Sequence, residues 1–165
     1  MPAGRLRIAG LSVLLALAFA SVAGADLAVS AGVFDTAKVR SGEVGVETRL
    51  VDVNLVSGER WSLSPAFGLM ATFEGAFYGY GSFRFDVRVS QPWTPTVHTG
   101  AGWYEQGNSK DLGGPIEFRS GLEVARFLAD GRRIGVGFYH LSNASIYEDN
   151  PGSNSFVLIY GWYRR

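Results

Sequence analysis

The chain has 165 residues, no cysteine, and 15 basic against 15 acidic side chains, so its formal net charge at pH 7 is zero. The balanced charge without a basic tract excludes a typical nucleic-acid-binding protein, and the absence of cysteine excludes a disulfide framework. The hydrophobic fraction of 47% and the aromatic fraction of 13% are high for a small soluble domain, yet no apolar run after residue 25 is long enough for a transmembrane helix.

The N-terminus has the layout of a secretory signal peptide. Two arginines precede the apolar stretch 8–20, and Ala23-Gly24-Ala25 offers small residues to a signal peptidase. The apolar stretch is too short to span a membrane, and a buried N-terminal helix is the alternative. We therefore expect residues 1–25 to be a signal peptide and residues 26–165 to form one domain.

Alternation of apolar and polar side chains at strand length dominates the rest of the chain. It predicts eight strands, at 27–36, 43–56, 60–73, 76–90, 95–105, 115–128, 132–142 and 153–164. In FYGYGSFRFDVRV (77–89), aromatic and small residues share one face, while Arg84, Asp86 and Arg88 share the other. Charges in mid-strand opposite aromatic residues favour a barrel with an apolar outside and a polar lumen.

We therefore predict an all-β fold, an eight-stranded antiparallel transmembrane β-barrel, because a closed barrel satisfies every backbone group in lipid without helices. A soluble lipocalin-like barrel with an apolar interior is the alternative. Short turns after the second, fourth and sixth strands predict a periplasmic end, and the longer segments 37–42, 105–114 and 143–152 predict external loops. His98 is expected to be a hydrogen-bonded residue of the lumen.

Two further sets of residues follow from the strand pattern. The predicted lumen network comprises Glu47, Arg49, Arg84, Asp86, Arg88, Glu117, Arg119, Glu123 and Arg133. The predicted interfacial girdles comprise Trp61, Tyr78, Trp103, Tyr104, Tyr139, Trp162 and Tyr163.

The seventh predicted strand, RRIGVGFYHLSN, ends in polar residues. Its alternation puts His140 and Ser142 on the lipid-facing side, where polar groups are expensive and suggest a functional site. A histidine beside a serine is the usual activation of a weak hydroxyl nucleophile, and Asn143 offers amide donors for an oxyanion. By itself the spacing is a weak signal, since such pairs are also common polar groups at strand ends.

The stretch YHLSNASIYEDNPGSNSFVLIYGWY (139–163) resembles the lipid A 3-O-deacylase (PagL) family of outer-membrane enzymes. The resemblance implies an eight-stranded barrel that hydrolyses the ester-linked acyl chain at position 3 of lipid A. It also implies that His140 is the general base, Ser142 the nucleophile and Asn143 a candidate oxyanion residue.

One position departs from the family pattern. Family members carry an acidic residue fourteen places after the histidine, where this chain has Asn154. Alternation puts Asn154 on the lipid side beside His140, where its amide could fix the imidazole tautomer without offsetting its charge. Glu148 or Asp149 could supply that charge, although both read more simply as solvated loop carboxylates.

The resulting expectation is a serine esterase acting on lipid A in the outer leaflet of a Gram-negative outer membrane, with His140, Ser142 and Asn154 as catalytic residues. Its expected partners are lipopolysaccharide and outer-membrane lipid, and a homodimer is left open. We expect it to reside in the outer membrane as a protein whose strands cross the membrane several times. This chemistry requires no cofactor, and no metal site is predicted because neither histidine has a carboxylate at ligand spacing. The alternative is a non-catalytic small barrel that serves as an envelope anchor, adhesin or lipid-binding structural protein.

Overall fold

The computed structural model describes residues 25–37, 41–50, 55–89 and 92–163, so the predicted signal peptide lies outside the described residues except for Ala25. Eight long strands and one two-residue strand are found: β1 (Ala25–Phe34), β2 (Ser41–Leu50), β3 (Val56–Ser57), β4 (Trp61–Thr72), β5 (Phe77–Val87), β6 (Trp93–Glu105), β7 (Ile116–Phe127), β8 (Arg132–Ser142) and β9 (Ser153–Trp162). The eight predicted strands are thus confirmed, and the predicted bounds of β8 agree with the structure. The second predicted strand, 43–56, coincides with β2 up to Leu50, and its residues 51–54 lie outside the described residues.

The sheet closes on itself. Each long strand pairs antiparallel with the next long strand along the chain, and β1 also pairs with β9 from Leu27 opposite Trp162 to Phe34 opposite Ser155. Closure gives each of the eight long strands a hydrogen-bonded neighbour on both sides, which is the condition for a sheet that faces lipid. The predicted eight-stranded antiparallel barrel is confirmed.

The barrel is apolar outside and polar inside. Leu122 and Leu158 on the outer wall are 62% and 64% exposed, whereas Arg84 and Glu123 in the lumen are each only 2% exposed. This distribution contradicts the lipocalin-like alternative, whose interior would be apolar. Among the described residues, no helix has both the length and the apolar character needed to cross a membrane.

Two carboxylates organise the lumen. Glu123 accepts hydrogen bonds from Arg84 at 2.6 and 2.7 Å, from Arg133 at 2.7 Å and from the Tyr139 hydroxyl. Glu47 lies 2.5 Å from Arg84 and 3.0 Å from the Nε2 atom of His98. A second group joins Arg49 to Asp26 and Asp86. These contacts confirm the predicted lumen side chains that they involve, including the hydrogen-bonded His98.

Three members of the predicted lumen network behave differently. Arg88 follows the end of β5 and is exposed, so its assignment to the lumen is wrong. Glu117 is fully buried, but neither of its carboxylate oxygens accepts a hydrogen bond from the described part of the chain. Arg119 makes cation–π contacts, with its guanidinium carbon 3.6 Å from the centre of the Tyr139 ring and 4.8 Å from that of Tyr80, and it forms no ion pair within the described residues.

The girdle prediction is right for the tryptophans and wrong for the tyrosines. Trp61, Trp103 and Trp162 lie on the outer wall and are 38%, 55% and 47% exposed. The rings of Tyr78, Tyr104 and Tyr139 are buried inside the barrel. Tyr163 packs under the guanidinium groups of Arg49 and Arg133 at 5.0 and 4.6 Å. A buried tyrosine needs a partner for its hydroxyl, and the lumen and the loops supply one, as in the 2.8 Å bond from Tyr78 to the Glu117 carbonyl.

An apolar cluster fills the end of the barrel that carries the connections β1–β2, β4–β5, β6–β7 and β8–β9. Its members are Phe34, Met70, Ala76, Tyr78, Tyr80, Tyr104, Leu112 and Leu141. Leu112 belongs to the β6–β7 connection, which is therefore packed into the barrel mouth. The polar end of β8 lies at this same mouth.

Candidate active site

The outer face of β8 changes from apolar to polar as the strand reaches the mouth. Ile134, Val136 and Phe138 are 44%, 40% and 47% exposed, and His140 and Ser142 follow them on the same face. Both polar residues are half-buried. The outward phase predicted for His140 and Ser142 therefore agrees with the structure, and it follows from the strict alternation of side chains along a strand.

The pairing of β8 with β9 brings two residues of the site together. His140 lies directly opposite Asn154, and the His140 Nδ1 atom is 2.8 Å from the Asn154 Oδ1 atom. A carbonyl oxygen can only accept, so this contact is satisfied when the hydrogen of the neutral imidazole is on Nδ1. The Nε2 atom is then left with its lone pair, which is the form that a general base requires.

Ser142 lies two residues further along β8 than His140, which separates their Cα atoms by about 6.6 Å in an ideal strand. Within the described residues, the Ser142 hydroxyl makes no hydrogen bond, so the predicted nucleophile and the predicted base are neighbours without a direct bond. Catalytic hydrogen bonds are often long or open before the substrate is bound. The structure thus brings His140 together with Asn154 and leaves the Ser142 hydroxyl free beside them.

Asn143 points the other way. Its side chain is fully buried, and its amide nitrogen donates to the backbone carbonyls of Leu112 at 2.9 Å and Asp149 at 2.7 Å. Its carbonyl oxygen accepts from the Ser145 backbone N–H at 3.0 Å. Both amide hydrogens are therefore in use, and the side chain has no free donor for an oxyanion. Alternation explains this, because the residue after the lipid-facing Ser142 must face inward.

The two loop carboxylates offer no charge to the imidazole. Glu148 and Asp149 are exposed, and neither makes an ion pair or hydrogen bond with His140 in the described part of the chain. They match the simpler expectation of solvated loop residues. Within residues 25–37, 41–50, 55–89 and 92–163, no group of three His, Cys, Asp or Glu side chains is arranged to hold a metal ion.

Two turn residues matter more to the site than their sequence suggests. Asn150 accepts a hydrogen bond from the Asn143 backbone N–H at 3.1 Å, which fixes the start of the β8–β9 connection. Gly152 is buried and has a φ of 55°, in the left-handed region, and a Cβ atom built on it would be 3.0 Å from His140 Cε1. The sequence Asn-Pro-Gly predicts only a turn, and the position of Gly152 near the histidine depends on how the loop folds back.

Sequence comparison decides the family. The family described as Lipid A 3-O-deacylase (PagL) matches residues 44–163, which is most of the chain and includes every residue of the site. The chain belongs to the lipid A 3-O-deacylase (PagL) family. It is therefore a carboxylic ester hydrolase that removes the ester-linked acyl chain at position 3 of lipid A, and it resides in the outer membrane.

Solved structures support the same fold. The crystal structure of the outer membrane enzyme PagL is 17% identical, and the alignment covers 84% of this chain and 99% of that one with a TM-score of 0.63. Neisserial surface protein A is 9% identical over 85% of this chain and 96% of its own, with a TM-score of 0.57. A designed transmembrane β-barrel is 12% identical over 83% and 93%, with a TM-score of 0.56. No curated protein sequence gives a significant match.

Proposed function

We propose that lipid A 3-O-deacylation is carried out by Ser142 as the nucleophile and His140 as the general base, with Asn154 orienting the imidazole. The observation that carries the proposal is the 2.8 Å contact between His140 Nδ1 and Asn154 Oδ1 on the lipid-facing wall beside Ser142. A structural barrel has no need of three polar side chains on an apolar surface. Their clustering is accounted for by chemistry on a lipid that approaches from the side.

The proposed reaction proceeds in two halves. The Ser142 Oγ atom attacks the carbonyl carbon of the 3-O-acyl ester while its proton passes to His140 Nε2. The tetrahedral intermediate collapses, the sugar 3-hydroxyl leaves with the proton from His140, and the acyl group stays on Ser142. A water molecule, deprotonated by His140, then attacks the acyl-enzyme and releases the fatty acid, and Ser142 recovers its proton.

Asn154 limits the support that His140 receives in this mechanism. Its amide can hold the imidazole in the required tautomer, but it carries no charge to stabilise the imidazolium that forms during attack. We therefore assign it orientation alone. Asn143 enters the proposal as a residue that positions the β8–β9 loop, since its amide hydrogens already bond to Leu112 and Asp149.

The setting of the site suggests how the substrate arrives. His140 and Ser142 lie on the outer wall near the loop-bearing end of the barrel, beside the exposed Phe118 and Phe138. We propose a multi-pass barrel whose eight long strands each cross the outer membrane, with this end in the outer leaflet where lipid A resides. The signal peptide at residues 1–25 and a homodimer remain predictions, tested by N-terminal sequencing of the exported protein and by sedimentation in detergent.

The decisive experiment measures acyl release at position 3 by mass spectrometry of lipid A incubated with purified wild-type, Ser142→Ala and His140→Ala barrels. Both variants should lose activity while still showing the heat-modifiable gel migration of a folded barrel. A fluorophosphonate, which reacts with activated serines, should label the wild type at Ser142 and leave Ser142→Ala unlabelled. If Ser142→Ala released the acyl chain at the wild-type rate, the proposed mechanism would be wrong.

A further inference from the structure

A glycine lies against the catalytic edge of the imidazole. A Cβ atom built on Gly152 would be 3.0 Å from His140 Cε1 and 3.5 Å from His140 Nε2. The same position would be 3.2 Å from the Leu141 carbonyl oxygen, so a side chain there is confined on two sides. A side chain at position 152 would therefore press on the part of the ring that the proposed mechanism uses.

We infer that Gly152 is a positioning residue of the esterase, which keeps His140 Nε2 in place for Ser142 because it has no side chain. This inference rests on the proposed roles of His140 and Ser142. It assigns the last residue of the Asn-Pro-Gly turn a function in the reaction beyond reversing the chain.

A side chain at position 152 would matter because the His140 ring is already held at its Nδ1 atom. Asn154 binds Nδ1 at 2.8 Å, and Cε1 is the ring atom between the two nitrogens. A Cβ at position 152 that pressed on Cε1 would have to lengthen the bond to Asn154 or turn Nε2 away from Ser142. Both movements spoil the alignment of the base. A misplacement of about 1 Å can cost on the order of a hundredfold in rate, so a shift of a few tenths of an ångström should cost about tenfold.

The backbone conformation of Gly152 must be separated from this contact. Its φ of 55° is itself unfavourable for a side chain, so a loss of activity in Gly152→Ala could reflect loop strain alone. Gly75 supplies the matched control, because it lies in the β4–β5 turn at the same end of the barrel and has a φ of 92°. A Cβ at Gly75 would meet nothing within 4 Å, so Gly75→Ala introduces the strain without the collision.

The first test compares Gly152→Ala with Gly75→Ala as folded barrels in detergent. We expect Gly152→Ala to lower kcat for acyl release by about tenfold with KM little changed, and to slow fluorophosphonate labelling of Ser142 similarly. Gly75→Ala should stay within about twofold of the wild type in both measurements. Should Gly152→Ala fail to fold, Gly152→Asn replaces it, because asparagine tolerates positive φ better and still carries a Cβ.

The second test asks whether the ring is held between Gly152 and Asn154. In an Asn154→Ala background the imidazole is free to yield, so adding Gly152→Ala should cost less than about threefold instead of about tenfold. A structural defect of the loop would predict equal costs in both backgrounds, because it does not act through the ring. The size of this coupling therefore distinguishes positioning from stability.

Several outcomes would overturn the inference. Wild-type labelling and kcat in Gly152→Ala would do so, as would equal losses in Gly152→Ala and Gly75→Ala or additive costs in the double variant. These failures leave the proposed function intact if Ser142→Ala is inactive and unlabelled. Wild-type activity of Ser142→Ala would overturn both the inference about Gly152 and the proposed function. Because that activity is measured on a different variant, the two kinds of failure can be told apart.

Discussion

The lumen and the outer wall at the mouth of the barrel treat polar side chains in opposite ways. In the lumen, Glu123 is surrounded by Arg84, Arg133 and Tyr139, and each of these donates a hydrogen bond to it. On the wall, Asn154 binds one nitrogen of His140, while the Ser142 hydroxyl makes no hydrogen bond within the described residues. Saturated polar groups hold a fold together, and an unsaturated pair on an apolar surface is available for a substrate.

The physical costs of the two regions explain the difference. A buried ion pair gains little net free energy over apolar packing, but breaking one leaves a buried charge uncompensated. The uncharged side chains of Ser142 and Asn154 on the lipid side avoid the still larger cost of a charge in hydrocarbon. The replacement of the family's usual acid by Asn154 extends this logic, because it removes the formal charge from the lipid-facing site.

The largest expected effect comes from removing the nucleophile or the base. Ser142→Ala and His140→Ala should each lower deacylation by about a thousandfold or more, because the two residues act as a unit, and the double variant should lose little further. Both changes are on the outer wall, so urea unfolding of the barrels should match that of the wild type. A large loss of stability in either variant would contradict the separation of function from fold.

The next largest effect is expected in the lumen, and the chain offers an internal control. Glu123→Gln leaves Arg84 and Arg133 without their shared carboxylate and should lower the free energy of unfolding by about 3–5 kcal/mol. Glu117→Gln makes the same chemical change at a buried carboxylate that accepts no hydrogen bond from the described residues, so it should leave stability unchanged or raise it. Urea titration in detergent measures both.

The activity of these lumen variants sharpens the comparison further. The folded fraction of Glu123→Gln and Glu117→Gln should deacylate lipid A at the wild-type rate, since neither side chain contacts the site. If Glu123→Gln lowered kcat per folded molecule as strongly as Ser142→Ala, the lumen would be part of the catalytic machinery.

A smaller effect is expected at Asn154, which the proposal gives only an orienting role. Asn154→Ala should lower kcat by about tenfold to a thousandfold, since the imidazole loses the partner that fixes its tautomer. Asn154→Glu restores the acid found in the family and should keep or raise activity, because a carboxylate stabilises the imidazolium. Acyl release measured for both variants at one pH tests this, and equal inactivation by Ala and Glu would argue against an orienting role.

The smallest effect is expected at the exposed turn between β7 and β8. The hydrogen bond from Arg132 holds the pKa of the Asp130 carboxyl below its usual value, so the pair stabilises the fold at neutral pH and loses that contribution as the pH falls through this lowered pKa. Because the carboxyl is fully solvated, Asp130→Asn should leave unfolding at pH 7 almost unchanged. Any small difference from the wild type should vanish at low pH, and a growing difference would have the wrong sign.

The sequence by itself determined the face on which each strand residue lies. Because successive side chains alternate and the barrel has only two faces, the pattern in FYGYGSFRFDVRV was enough to put Arg84 and Asp86 inside. The same rule put His140, Ser142 and Asn154 together on the outer wall. The local motif after β8 was specific enough to indicate the family as well.

Only the tertiary structure decided which side chains meet. Arg84 and Glu123 are 39 residues apart, and their contact depends on how β5, β6 and β7 are registered in the closed sheet. The partner of an inward-facing tyrosine hydroxyl, as in the bond from Tyr78 to the Glu117 carbonyl, depends on that register as well. The bond from the Asn143 amide to the Leu112 carbonyl and the position of Gly152 near the His140 ring also depend on the fold, because a loop's path is set by its packing and not by strand alternation.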